Sequence, residues 1–407
     1  MRVIYRVLSM LLAPVWLLVL ALRQKREARF RERLGFYGPM RQDAIWIQAA
    51  SVGEVRLALR LKEHLERRGV PVTVTSTTGT GLTLLAREGG EAAAFPIDLV
   101  SAVRRAFRRI KPRMIVLVET ELWPHLLRRA ALDNVPVCVV NGRLSDRNVA
   151  RTVKLKALYG GDLSRLNVAA QSERHALRFH ALGVPESSIR VTGNMKFDLE
   201  PPEDFMKQRG EIMALLDGAA VWVAGSVREG EERAVITAHG LLRKRHPGVK
   251  LLLAPRHLDR VGTCREEAEK MGLAVRFRSS GKGGGPWDVL VLDTIGELWA
   301  AYECGLAAFV GGSLVPLGGQ NVLEPAYLGK PVVFGPFTEN FLEEAEGLLL
   351  AEGAVRIGDS TNLAGVLSGW ITSDRSRKEA GRKAAAYVQK HRGAAGRTAE
   401  AVLECLS

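Results

Sequence analysis

The sequence predicts an α/β protein made of two Rossmann-like halves, and three observations carry that prediction. Beyond Gln42, short apolar runs alternate with amphipathic stretches of helical period, as parallel sheets require. The chain's 407 residues exceed what one ordinary hydrophobic core holds. The pattern breaks once, at Leu199-Glu-Pro-Pro-Glu-Asp204, where two prolines block both helix and central strand.

In the first half, strands are expected at 44–49, 72–76, 93–96, 114–119, 136–141, 167–170 and 189–192, with helices between them such as 55–68 and 102–110. After the break, strands are expected at 220–224, 250–254, 274–277, 289–292, 307–310 and 331–334, followed by a basic helical tail over 376–406. The expected division is a membrane anchor with its basic flank at 1–33, one domain at 34–203 and a second at 204–407. Two such halves on a short linker form a cleft, and open α/β sheets bind ligands at strand C-termini. No internal repeat is readable.

Residues 7–22 carry no charge; Arg2 and Arg6 precede them, and Arg23, Lys25, Arg26, Arg29, Arg31 and Arg33 follow. A cleaved signal peptide is disfavoured, because the basic density lies after the apolar run and no small-residue cleavage site follows. A spanning helix needs about 20 apolar residues, so the run is slightly short. An interfacial anchor with arginines on lipid phosphates fits both the length and Pro14. Either membrane-bound form keeps the positive flank, and therefore the body, on the cytoplasmic side.

The 58 Lys+Arg against 44 Asp+Glu leave a net charge of +14, which points to anionic partners. Aromatic residues are only 6%, without the basic-aromatic interleaving that stacks bases, so nucleic acid ranks below a membrane surface. Cys138, Cys264, Cys304 and Cys405 are scattered without CxxC spacing and read as free thiols. The eight histidines form no HxxxH or HExxH pattern, so no metal or other cofactor is expected.

The segment 309–336 is the most informative. A strand ends at Val310, Gly311-Gly312 allow a sharp turn, and Gly318-Gly319 lead to Asn321 and Glu324 at a helix start. This arrangement suits a nucleotide, with helix N-terminal N–H groups on the phosphate and a carboxylate on ribose hydroxyls. The alternative is a pair of tight βα turns with Glu324 offsetting the helix dipole.

In Ile45-Trp-Ile-Gln-Ala-Ala-Ser-Val-Gly-Glu54, Ser51 and Glu54 spell a capping box. Glu54 equally suits a general base at the end of the first strand, and the pattern leaves both roles open. Glu119 and Glu121 end an uncharged strand, where carboxylates are costly unless paired or functional. Lys196, between Met195 and Phe197, is a candidate for holding a phosphate or carboxylate. The run 224–231 resembles a phosphate loop, Arg256 and His257 follow a strand, and 293–298 is another strand-to-helix junction with a glycine. Tyr159, Arg143 and Trp123 read as core or surface residues.

In this order, Ser51-Val-Gly-Glu54, Glu119-Thr-Glu-Leu-Trp-Pro124, Arg143-Leu-Ser145, Gly193-x-x-Lys-Phe-Asp198, Pro255-Arg-His257, Asp293-Thr-x-Gly-Glu-Leu298, Gly311-Gly-Ser-Leu314 and Asn321-x-x-Glu324 resemble the 3-deoxy-D-manno-octulosonic acid (Kdo) transferases of Gram-negative bacteria. The likeness covers essentially the whole chain. It implies a GT-B fold and inverting, metal-independent transfer of Kdo from CMP-Kdo to the lipid A precursor, lipid IVA, on the cytoplasmic face of the inner membrane.

By the same resemblance, Glu54 is the general base, and Glu119 and Lys196 support the transition state. Donor contacts fall on Pro255, Arg256, Ile295, Gly296, Glu297, Asn321, Val322, Leu323 and Glu324. Many members read Gly-Gly-His-Asn-Pro-Leu-Glu where this chain has Gly319-Gln320-Asn321-Val322-Leu323-Glu324, and others read Pro-Glu-Arg where it has Leu258-Asp259-Arg260. These departures leave the roles of Gln320 and Asp259 open, together with that of Glu121 and the number of Kdo residues added. A nucleotide-sugar epimerase and a non-catalytic lipid-binding protein are the alternatives, and the expected membrane anchor argues against the first.

Overall fold

The computed structural model describes residues 2–24, 29–89, 92–154, 156–281 and 285–406. The chain divides into two compact units. The first is Met1–Asp198 with Gly393–Ser407, and the second is Leu199–Arg392. Each is built on a seven-stranded sheet whose neighbours all pair in parallel.

In the first unit the strands are β1 (Ile45–Ala49), β2 (Val72–Ser76), β3 (Ala93–Ala94), β4 (Met114–Val118), β5 (Val137–Gly142), β6 (Leu166–Ala170) and β7 (Ile189–Val191). Their order is β3-β2-β1-β4-β5-β6-β7. Because side chains alternate across a strand, β1 and β4 feed two cores. Trp46, Ile115 and Leu117 pack with Phe95, Phe107 and Val139 on one face. On the other face, Ile45, Ile47, Val116 and Val118 pack against Val55, Leu61, Ala395 and Val402.

The second unit holds β8 (Val221–Val227), β9 (Lys250–Pro255), β10 (Val275–Phe277), β11 (Val289–Val291), β12 (Ala308–Val310), β13 (Val332–Phe334) and β14 (Ala354–Arg356), in the order β10-β11-β9-β8-β12-β13-β14. Trp222, Leu251, Leu253, Phe309 and Val333 point into one core, and Val221, Val223, Leu252, Leu290 and Ala308 into the other. The strand order reverses between β1 and β4 in one sheet and between β8 and β12 in the other. In open α/β sheets such points, at the strand C-termini, are where ligands bind.

Three expectations need correction. The boundary expected between residues 203 and 204 falls at Asp198/Leu199, and the basic tail is not one element of the second domain. It breaks at Gly393, which has a φ of 85°, into helices Asp374–His391 and Ala394–Glu404. The later helix belongs to the first unit, because Asp198 accepts the backbone N–H groups of Gly393 and Ala395, and Thr398 hydrogen-bonds Thr192 at 2.9 Å. Strand β14 escaped the reading, since three residues ending in an arginine give no apolar run.

The third correction concerns the basic flank. Lys25 and Arg26 lie outside the described residues, as do the side chains of Arg2 and Arg23. Arg33, by contrast, is fully buried, donates to the Thr77 carbonyl at 2.6 Å and accepts at its own carbonyl from the Ile97 N–H. Glu32 accepts from the Ala94 N–H at 2.7 Å. Residues 29–33 are thus body, not membrane flank.

The N-terminal helix Arg2–Gln24 contains Pro14. Its residues at spacing four (Tyr5, Ser9, Ala13 and Leu17) are half-buried, whereas Val7, Leu8, Leu11, Leu12, Val15, Trp16, Leu18 and Val19 are exposed. Tyr5 donates to Asp98 at 3.0 Å, and Ser9 lies 3.3 Å from His125 Nε2. Among the described residues, no helix is long and apolar enough to cross a membrane.

Candidate active site

In the first unit, β1 runs into helix Val52–Glu66. Ser51 caps it by accepting from the Glu54 N–H at 3.3 Å. In return, the Glu54 carboxylate accepts from the Ala50 N–H and the Ser51 hydroxyl, both at 2.8 Å. The capping geometry is real, and it also holds Glu54 just beyond the end of β1. Burial pushes the Glu54 carboxyl up to about 7, against the pull of those two hydrogen bonds, and the charges of Glu119 and Glu121 push the same way. A carboxylate that titrates near neutrality both exists as a base and accepts a proton readily.

Glu119 follows directly on β4, the neighbour of β1. Its φ of 62° places it in the left-handed region, which costs a non-glycine residue roughly 1–2 kcal/mol. Strain of this kind concentrates at functional sites. Its Oε1 lies 3.3 Å from Lys196 Nζ, with both side chains 22% exposed. Glu121 accepts from Trp123 Nε1 at 3.0 Å. Burial raises its carboxyl, while hydrogen bonds from Trp123 and Gln48 hold it down.

Lys196 rides on the turn Met195–Phe197, which two asparagines fix. Asn194 accepts from the Lys196 N–H at 3.0 Å and Asn141 from the Met195 N–H at 2.9 Å. Asn141 itself has a φ of 51°. Sequence reading passed over Asn141, although asparagine at a strand end tolerates this conformation and so carries a signal.

In the second unit, Pro255 ends β9 and Arg256 is exposed beside it, its Nε donating to Gln320 Oε1 at 3.3 Å. Gly296 has a φ of 92° and presents Ile295, 83% exposed. The Glu297 carboxylate is engaged by Arg278 Nε and Nη2, at 3.1 and 2.8 Å, and by the Thr294 hydroxyl. Asn321 Nδ2 donates to Glu324 Oε1 at 3.0 Å, while Asn321 Oδ1 accepts from the Leu323 N–H at 3.1 Å. Val322 and Leu323 have buried side chains, which leaves only their main-chain atoms for any outside contact.

The first turn of the glycine loop is held from inside the unit. The N–H groups of Gly312, Ser313 and Leu314 follow directly on β12. All three donate to the fully buried carboxylate of Glu231, at 2.6–2.9 Å. In the sequence, Glu231 is visible only as the last residue of the phosphate-loop-like run 224–231. Among the described residues, no group of three or more His, Cys, Asp or Glu side chains could hold a metal ion.

Residues 28–199 match the family model described as 3-deoxy-D-manno-octulosonic-acid transferase (kdotransferase). The chain is 31% identical to the 3-deoxy-D-manno-octulosonic acid transferase of Haemophilus influenzae, covering 97% of this chain and 96% of that one. It is 36% identical to the enzyme of the same name from Bordetella pertussis, over 89% of this chain and 87% of the relative. Its backbone is also similar to that of a UDP-GlcNAc 2-epimerase from Neisseria meningitidis, at 14% identity and a TM-score of 0.61, covering 89% of this chain and 99% of that one. That last likeness shows the fold alone. With identities at this level over nearly its full length, this chain belongs to the Kdo transferases, a family of glycosyltransferases.

Proposed function

We propose that this protein moves Kdo from CMP-Kdo to lipid IVA, with inversion at the anomeric carbon, as a GT-B enzyme. The observation that carries this reading is the Glu54 carboxyl, pushed up to about 7 at the end of β1, next to the strand that delivers the Glu119–Lys196 pair. An acceptor hydroxyl loses its proton to Glu54 as its oxygen attacks the anomeric carbon. The bond from that carbon to the phosphate oxygen breaks, and CMP leaves with the electron pair. Lys196 offsets the negative charge on the reacting groups, and Arg256 that on the donor, so the step needs no metal.

The acceptor is presented by a membrane. The N-terminal helix rests on the first unit through Tyr5, Ser9, Ala13 and Leu17 and turns its exposed leucines and valines outward, which suits insertion into the interface of an anionic bilayer. The net charge of +14 favours the same surface and a phosphorylated acceptor. Basic residues flanking the apolar run keep the body on the cytoplasmic side of the inner membrane.

Incubating the purified chain with CMP-Kdo and lipid IVA in vesicles, then following CMP release and product mass, tests this reading. Product heavier by one or more Kdo units is expected, and the mass counts them. Absence of CMP release under these conditions would sink it.

A further inference from the structure

A buried glutamate sits in the middle of the glycine loop and has no part in the chemistry described so far. Glu231 precedes helix Glu232–Arg245 and is fully shielded from solvent. Its Oε1 accepts from the N–H groups of Ser313 and Leu314 at 2.9 and 2.8 Å. Its Oε2 accepts from those of Gly312 and Arg228 at 2.6 and 2.9 Å. Four main-chain donors converging on one anion form a nest of the kind that commonly receives a phosphate. Here the protein fills it with its own carboxylate.

The surrounding loop fits tightly. A Cβ on Gly311 would lie 2.5 Å from the Ser226 carbonyl oxygen, and one on Gly312, whose φ is 68°, would lie 3.3 Å from both Arg228 Cγ and Gln320 Nε2. Ser313 accepts from the Gly335 N–H at 2.9 Å. Arg228 follows β8 and Arg256 follows β9, with Val227 and Pro255 paired between the two strands. Gln320 lies beside both arginines, since it accepts from Arg256 and flanks the space over Gly312 next to Arg228. The buried Nε of Arg228 finds no hydrogen-bond partner among the described residues.

We propose that Glu231 is a positioning residue of the donor site. As a built-in anion it fixes the loop 312–314 and the backbone of Arg228, so that the Arg228 guanidinium, not the loop amides, receives an anionic group of the donor. This rests on the donor reading above. It separates two roles that glycine loops usually combine, since the loop supplies rigidity and the arginine supplies charge.

The test measures CMP binding by calorimetry and steady-state rates with CMP-Kdo, on the full-length chain. Glu231→Gln keeps the volume but turns an NH₂ toward N–H donors, and should weaken CMP binding and raise KM for CMP-Kdo by at least tenfold. Arg228→Ala should weaken CMP binding by about tenfold to a hundredfold. Leu242→Ala, in the core of the same unit, controls for lost stability: it should lower Tm and leave CMP affinity unchanged below the transition.

If Glu231→Gln does not fold, hydrogen exchange on the wild type decides. The amides of 312–314 should be protected without CMP and gain little when it is added. Strong extra protection of those amides by CMP, or wild-type affinity in either Glu231→Gln or Arg228→Ala, would overturn the proposal. If the wild type itself binds no CMP, the donor reading falls and this proposal falls with it. If the wild type binds CMP and the variants bind it equally well, only this proposal fails.

Discussion

Where the strand order reverses in the first unit's sheet, the chain places Glu54 after β1 and Glu119 after β4. At the corresponding point of the second unit's sheet, Glu231 lies between β8 and the loop that follows β12. Glu54 has two hydrogen-bond donors and two carboxylates nearby, and burial raises its carboxyl to about 7. Glu231 is more deeply buried, yet four main-chain N–H groups surround it. The same topology therefore supports opposite treatments of a carboxylate. Glu54, with two donors and like-charged neighbours, is poised to take a proton, whereas the four main-chain donors on Glu231 tie it to the loop after β12.

The largest effect that would break this comparison comes from Glu54→Gln. Glutamine keeps the cap nearly as well, so folding should survive, while kcat should fall by roughly 10²–10⁴. Because the folded protein favours protonated Glu54, stability contributed at this site falls as pH rises from the ordinary glutamate range through about 7. The variant should accordingly compare better with wild type in Tm at pH 8 than at pH 5. Wild-type kcat should drop as pH falls through about 7, and the variant should lack that limb. Near wild-type turnover in Glu54→Gln would leave Glu54 as a helix cap and turn attention to Glu119 or Glu121.

Arg256→Ala tests the fixed-charge side. Its loss should raise KM for CMP-Kdo about tenfold to a hundredfold with a smaller change in kcat, since a charge-assisted hydrogen bond contributes roughly 1.5–3 kcal/mol. An unchanged KM would remove Arg256 from the donor site.

Truncation sharpens the assignment of the N-terminus. Removing residues 1–24 should leave the first unit folded and lower activity several-fold on vesicle-borne acceptor, with activity on detergent-dispersed acceptor kept. Removing residues 1–33 should lower Tm markedly, because Arg33 and Glu32 bind the body's main chain. Equal Tm for the two truncations would restore the anchor boundary expected from sequence.

The smallest expected effect comes from Glu119→Gly. Glycine adopts φ near 62° without the steric cost, so loss of the Lys196 ion pair and relief of strain should nearly cancel, leaving stability within about 1 kcal/mol. Activity should fall while the protein stays folded. A large loss of stability would mean that the pair is structural.

The sequence by itself determined the alternation of strand and helix, because buried parallel strands must be apolar and their helices amphipathic. It also determined the break near residue 200, where prolines remove backbone donors. The motifs brought Glu54, Glu119 and Lys196 into view as separate segments. Only the tertiary structure decided what depends on partners distant in sequence. Among these are the return of 394–404 to the first unit through Asp198, the burial of Arg33 beneath Thr77, and the φ of Glu119. The occupation of the glycine loop by Glu231 belongs with them, since 81 residues separate Glu231 from Gly312. A local pattern records which residues can form a turn or a cap. Whether an N–H group faces a ligand or a buried carboxylate is set by whichever chain segment packs against it.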